Sequence, residues 1–250
     1  MPDQPNLEEQ ALSEAAAMTI STQLDEVENL DVDVKSNLSK IVQGKADSIS
    51  LDGQGLVIQK DIRVQEMQLQ TEEVDINPLS ALFGQLKLNK PVDATARFVI
   101  NEQDLNQALN SDYIRNNYPN LQIIVEGQTV TLEPQKLEVF LVTNNKMTFK
   151  GTILIQENTI SRSLNFMAIV CLPTPSQPLL LEAFHCAEGE GVTLEFALAL
   201  LQKAKQLLNS PYIDLEGMAL RVKNLEVQAG NLTLHTEAYV RQLPNLDSEG

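Results

Sequence analysis

The chain reads as an α+β protein in which curved antiparallel β-sheets wrap around long helices. Three observations predict this class. Apolar and polar residues alternate through most of the sequence after Lys45, the mark of half-exposed strands. Segments with helical spacing precede that alternation near residues 9–27 and 38–42 and interrupt it near 101–111 and 193–208. A strand-turn-strand pattern containing glycine occurs three times, each time after a predicted helix, so the architecture is expected to consist of repeated helix-plus-meander units able to enclose an elongated apolar groove.

Residues 1–8, with Pro2, Pro5 and polar neighbours, have little to bury and are expected to be loose. In the first helix Ala17, Ile20, Leu24 and Val27 share one face. Leu30, Val32 and Val34 then alternate with Asp31, Asp33 and Lys35 as a strand, and Leu38, Ile41 and Val42 before Gly44 predict a short second helix. Ile49 and Leu51 lead to Asp52-Gly53-Gln54-Gly55, which has the composition of a turn. Beyond it Leu56, Ile58, Ile62 and Val64 share one face, whereas Met67 and Leu69 fall on the other parity. Keeping them on one side would require a bulge or bend near Gln65 and Glu66.

Asn101 is placed to cap a helix whose Leu105, Ala108 and Leu109 face the core. Further strands follow at Val130–Leu132, Leu137–Leu141 and Met147–Ile155, with a turn at Asn144-Asn145-Lys146. Residues 160–171 and 179–184 form two more, joined by a proline-rich loop. Thr193 is the N-cap expected for a helix reaching about Leu208. That helix is apolar on more than one side through Leu194, Phe196, Ala197, Leu198, Leu200 and Leu201, and is expected to lie in a sheet's concavity. The last strands carry Met218–Val222, Leu225–Val227 and Leu232–Leu234, with a turn at Gly230-Asn231. A single domain is expected over residues 9–243, with a loose tail at 244–250.

The three repeats begin at Leu51-Asp52-Gly53, Val125-Glu126-Gly127 and Leu215-Glu216-Gly217. The helix ends before the last two also agree, Leu109-Asn110-Ser111-Asp112-Tyr113-Ile114 against Leu208-Asn209-Ser210-Pro211-Tyr212-Ile213. Glycine suits a turn there because it takes positive φ without steric cost.

Charge narrows the function. A net charge of −16 opposes nucleic acid and anionic surfaces at long range, and 4 % aromatic residues with no Trp offer no stacking platform for bases. The nucleophile elbow, the phosphate-binding glycine loops and the zinc-protease helix motif are all missing from the sequence. His185, Cys186 and Cys171 do not have the paired spacing of a structural zinc site, and the two cysteines are expected to be thiols. No cofactor or metal is expected, and the chain is read as a non-enzyme. The start MPDQPNLEEQ lacks the features of a signal peptide and no apolar run has the length of a membrane span. A location in the cytoplasm or at the inner face of a membrane is therefore expected.

Asn77-Pro78-Leu79 through Gly84, Leu86-Lys87-Leu88, Pro91, Val92–Ala96 and the run Asn101-Glu102-Gln103-Asp104-Leu105-Asn106-Gln107-Ala108-Leu109-Asn110-Ser111 together resemble the central signature of the LmeA-type phospholipid-binding family. The resemblance covers most of the chain in element order. It implies a fold similar to the tubular lipid-binding (TULIP-like) domains, holding phospholipid or acyl chains in an apolar groove. A phospholipid or fatty acid is thus the expected ligand, with peripheral membrane contact and no nucleic acid partner.

The residues offer two readings of the stretch itself. Leu79, Leu82 and Phe83, beside the cations Lys87, Lys90 and Arg97, could touch a bilayer or fix a phosphate headgroup. They could equally plug the end of the core, with the lysines guarding an edge. The candidate lipid-contact residues are Leu79, Leu82, Phe83, Lys87 and Lys90. The competing function is a structural or adaptor protein with an acidic surface and no ligand cavity.

Overall fold

The structure is a computed structural model that describes residues 7–22, 24–59, 61–77, 87–117, 120–142, 145–157, 160–174, 176–186, 193–208, 213–215 and 218–241. The chain divides into two compact units. One comprises residues 1–99, 211–223 and 234–250, the other residues 100–210 and 224–233. Sheet dominates both. Among the described residues the longest helices, α1 (Leu7–Ser21) and α5 (Leu194–Leu208), have 15 residues each, so the helices there are modest beside the long ones expected.

In the first unit, α1 begins within the stretch expected to be loose and stops at Ser21, before Leu24 and Val27. It stops there because the chain is drawn into the sheet. The Asp25 N–H donates to Val57, Glu26 bridges Val57 and the Glu28 N–H donates to Gln54. Strand β1 (Asn29–Lys35) then pairs with β3 (Ser48–Gln59), which pairs with β4 (Ile62–Thr71) and through it with β6 (Val92–Asn101). Two short elements, α2 (Leu38–Ile41) and β2 (Lys45–Ala46), lie between β1 and β3. With β12 (Ile213–Leu215), β13 (Met218–Gln228) and β14 (Asn231–Val240) the sheet runs β1-β3-β4-β6-β14-β13-β12. α1 covers its β1 edge: Ala16, Ala17 and Ile20 pack on Val32, Val34 and Leu51, and Ser13 Oγ accepts the Val34 N–H at 3.0 Å.

Two expectations fail here for identifiable reasons. Asp52–Gly55 is no turn, since β3 runs unbroken through it. The glycines serve close approach instead: a Cβ on Gly53 would meet Leu56, and Gly55, at φ 59°, lies against Glu28. Nor is there a bulge near Gln65. The β3–β4 register is continuous from Val64↔Leu56 to Thr71↔Ile49, so Val64 and Met67 point to opposite faces. β6 repeats the switch, burying Val92, Ala94 and Ala96 and then Val99.

In the second unit, β7 (Leu121–Val125), β8 (Gln128–Leu141), β9 (Lys146–Glu157), β10 (Ile160–Cys171) and β11 (Leu180–Cys186) form a sheet ordered β11-β10-β9-β8-β7. Glu126 and Gly127, both at positive φ, make the two-residue β7–β8 turn. β12 and β13 pair antiparallel from Ile213↔Leu220 to Leu215↔Met218. The second and third repeats thus share a helix followed by two antiparallel strands, whereas the glycine-containing segment of the first lies inside β3. The last hairpin turns at Ala229-Gly230, one residue before the predicted position.

Helix α5 packs on both β7 and β11, the two edges of the five-stranded sheet. Flat, five strands would span roughly 19 Å, wider than the 10–12 Å of a helix. The sheet must therefore curl around α5, and Phe196 and Ala199 meet Ile123, Leu132, Ile155 and Leu164 inside it. One predicted feature of α5 needs correction. It buries only part of its circumference, leaving Leu194 70 % and Leu198 48 % exposed.

Candidate functional site

The loop expected to touch lipid springs from a closed neck. Ile76 bridges Leu88, the Asn77 N–H donates to Lys87 O at 2.8 Å and the Asn89 N–H to Asp75 O at 2.8 Å. The strand β5 (Val74–Asp75) in turn pairs with β2. Leu79, Leu82 and Phe83 lie outside the described residues. Lys87 and Lys90 are exposed at the neck, and Lys90 Nζ sits 2.7 Å from Glu73. That hydrogen bond lowers the Glu73 carboxyl below its ordinary pKa and raises the Lys90 amine.

Arg97 does not join them. Five residues of extended β6 separate it from Val92, about 17 Å at strand rise, and it is paired with Glu66 at 3.0 Å. The predicted cluster of three cations is therefore a pair, Lys87 with Lys90, and the reason is the extended chain between them.

The second region is the interior of the curled sheet with α5. Thr193 caps the helix as expected, its Oγ accepting the Phe196 N–H at 3.3 Å. The inner wall is apolar from β7 to β11, and Phe166 and Phe184 stack with ring centroids 6.0 Å apart. Leu194 and Leu198, one turn apart, form an apolar stripe on the outward side of α5.

A third region is polar. A shallow depression of about 520 Å³ on the seven-stranded sheet is lined by Asp52, Gln68, Arg97, Lys223, His235 and Glu237 among others. Lys223 and Glu237 pair across it at 2.8 Å, which holds the Glu237 carboxyl below its ordinary pKa. Charged walls of this kind do not favour an acyl chain.

Cysteine chemistry finds no footing here. Cys171 pairs with Leu180 and Cys186 with Phe166, at opposite ends of the β10–β11 ladder, and both are free thiols. Burial, and then the Glu182 carboxylate 3.5 Å away, push the Cys171 thiol up in pKa. His185 stands at the Cys186 end, so these three residues cannot meet at one ion. Among the described residues no helix is long and apolar enough to cross a membrane.

The residue-level role that sequence reading missed belongs to the motif helix, α3 (Glu102–Leu109), which the short helix α4 (Asp112–Asn117) follows. Asn101 caps it as predicted, accepting the Asp104 N–H at 2.7 Å, and Leu105 and Leu109 face the core. Its polar face also does something specific. β7 pairs with β8 only as far as Leu121↔Leu132, so among the described residues the next stretch of β8 has no strand neighbour on that side. Side chains of α3 and its C-cap replace one. Asn106 exchanges two hydrogen bonds of 2.7 Å with the Val139 backbone, Asn110 exchanges bonds of 2.6 and 3.1 Å with Leu137, and Glu102 accepts the Leu141 N–H at 2.7 Å. The visible signal was the spacing 102, 106, 110, a polar stripe at helical period.

A family model described as LmeA-like phospholipid-binding matches residues 5–237, nearly the whole chain. Neither the curated protein sequences nor the solved structures contain a significant match.

Proposed function

The chain belongs to the LmeA-like phospholipid-binding family, and from that premise we propose that it is a non-enzymatic lipid-binding or lipid-transfer protein. In this reading the acyl chains of a phospholipid or fatty acid lie in an apolar groove along α5, between the Leu194–Leu198 stripe and the lip of the curled sheet. The observation that carries it is the exposure of those two leucines on a helix whose other side packs in an apolar concavity, an arrangement that wastes apolar surface unless something covers it. Membrane contact is peripheral: Leu79, Leu82 and Phe83 touch the bilayer while Lys87 and Lys90 at the neck face headgroup phosphates.

Native mass spectrometry and lipid extraction of the purified chain test the reading. Phospholipid or fatty acid should co-purify, and the double variant Leu194→Asp/Leu198→Asp should carry several-fold less while keeping its melting temperature. Protein that emerges free of lipid and also ignores liposomes would sink it.

A further inference from the structure

The outer face of the five-stranded sheet, opposite the side that packs on α5, carries a second apolar surface. Cross-strand partners share a face, so the ladder Phe140↔Thr148↔Ile169↔Ala183 forms one row. On one side of it stands the row Glu138↔Lys150↔Met167↔His185, and on the other Lys146↔Cys171↔Leu180, with the Val142 N–H bonded to Lys146 O. Their neighbours Val139, Leu141 and Met147 point the other way, into the core. Phe140, Val142 and Leu180 are 37, 42 and 44 % exposed. Strand alternation would normally place polar residues at such positions.

Charge sets this patch apart from the rest of the protein. Lys136 is paired with Glu138 at 2.8 Å and Lys146 with Glu182 at 2.7 Å, so with Lys150 the patch carries one positive charge in excess, in a chain of net charge −16. Lys150 Nζ lies 4.9 Å from the centroid of the Phe140 ring, so its aliphatic stem runs over apolar surface and its charge is carried at the rim. Towards the other end of the same face the residues become polar, with Glu133 and Gln156 within hydrogen-bond reach.

We propose that this face of β8–β11 docks on an anionic lipid surface, with Phe140, Val142 and Leu180 entering the interface and Lys146 and Lys150 meeting phosphates. The proposal rests on the lipid-binding reading and adds, besides the loop between Asn77 and Lys87, a second surface through which the protein would meet its donor or acceptor membrane. A membrane fits better than a second copy of the chain. A few half-exposed apolar side chains are far less than the roughly 800 Å² per partner of a stable protein interface, whereas reversible peripheral attachment needs only limited insertion beside cations.

Flotation with phosphatidylcholine vesicles, with and without phosphatidylglycerol, tests it. Wild type should bind the anionic vesicles, and Phe140→Ser and Lys150→Glu should each reduce partitioning, the pair by about tenfold. Both variants should still co-purify with phospholipid. The chain has no Trp, so Phe140→Trp gives a reporter that disrupts nothing else: its emission should shift to the blue and be quenched by brominated lipid. Variants that float like wild type, or a reporter blind to the vesicles, overturn the proposal. So does a Phe140→Ser change that turns a dimer into a monomer with vesicle binding intact, because the face then serves self-association. Protein that carries lipid yet binds no vesicle removes this surface and leaves the lipid-binding reading standing; protein that binds vesicles through this face but carries no lipid keeps this surface and removes the acyl-chain groove along α5.

Discussion

Gly151 shows how a single residue can be fixed by something far from it in sequence. It pairs with Leu137 in the β8–β9 ladder, immediately beside the bulge between Pro134 and Lys136. Pro134 cannot donate to the ladder, and the extra residue turns the Lys136 carbonyl oxygen towards Gly151, so that a Cβ there would collide with backbone. Backbone yields less readily than a side-chain tip. Gly151→Ala should therefore cost about 2 kcal/mol, a typical overpacking penalty, readable as a lower urea midpoint with an unchanged slope. A loss below about 0.5 kcal/mol would place this site among ordinary surface changes and show that the bulge relaxes freely. The sequence gives no hint of this, since Gly151 sits in an alternating run between Phe149 and Ile153 like any other strand residue. Single-residue features that depend only on local chemistry, such as the Asn101 and Thr193 caps, were legible for the opposite reason.

At the scale of elements, edges explain more than cores. α1 guards the β1 edge through Ser13, and α3 guards the uncovered stretch of β8 through Glu102, Asn106 and Asn110. The run around Asp104-Leu105-Asn106 therefore encodes architecture: a helix posing as a strand by offering amide side chains at i, i+4 spacing to backbone groups that would otherwise stay unpaired or recruit another chain. Asn106→Leu removes both bonds to Val139 while keeping the side chain's bulk. The buried N–H and C=O left behind should cost about 2–3 kcal/mol, and hydrogen exchange at the Val139 amide should accelerate more than at Phe149 on the neighbouring strand. Equal acceleration at both would mean that the whole sheet is loosened rather than its edge opened. The polar stripe at 102, 106 and 110 was visible in the sequence, but its partners were not, because they lie 27 to 39 residues away. Periodicity did reveal that the buried face changes at 64–67 in β4, whereas at 132–137 it separated Val130–Leu132 from Leu137–Leu141 where one strand, β8, runs through. It could not reveal why: β8 inserts a bulge, whereas β4 keeps its register and buries opposite faces in turn. A parity change in sequence is the same in both cases. For the same reason α5 could be recognised as a helix in a concavity while its exposed Leu194–Leu198 stripe could not, since exposure depends on how far the sheet curls.

For the whole molecule the governing quantity is the conflict between a net charge of −16 and a surface proposed to meet anionic lipid. The two act over different distances. Repulsion from the full charge reaches across a Debye length, about 30 Å at 0.01 M salt and about 8 Å at 0.15 M. The attraction of Lys146 and Lys150 for phosphates, together with burial of Phe140, Val142 and Leu180, operates only at contact. Adding salt to a dilute buffer should therefore first strengthen binding to phosphatidylglycerol vesicles, by screening the long-range term before the contact terms. Higher salt should then weaken it as the lysine–phosphate attraction is screened too, leaving a maximum at intermediate ionic strength. A purely apolar attachment would rise with salt throughout, and one dominated by cations would fall throughout. A salt series of flotation assays on wild type and Lys150→Glu distinguishes these outcomes. The variant should lose the descending limb and keep the ascending one, because reversing one lysine removes a contact term and leaves the overall repulsion slightly larger. If wild type falls monotonically from the lowest salt, the distribution of charge between patch and molecule does not control approach, and this account of membrane docking fails.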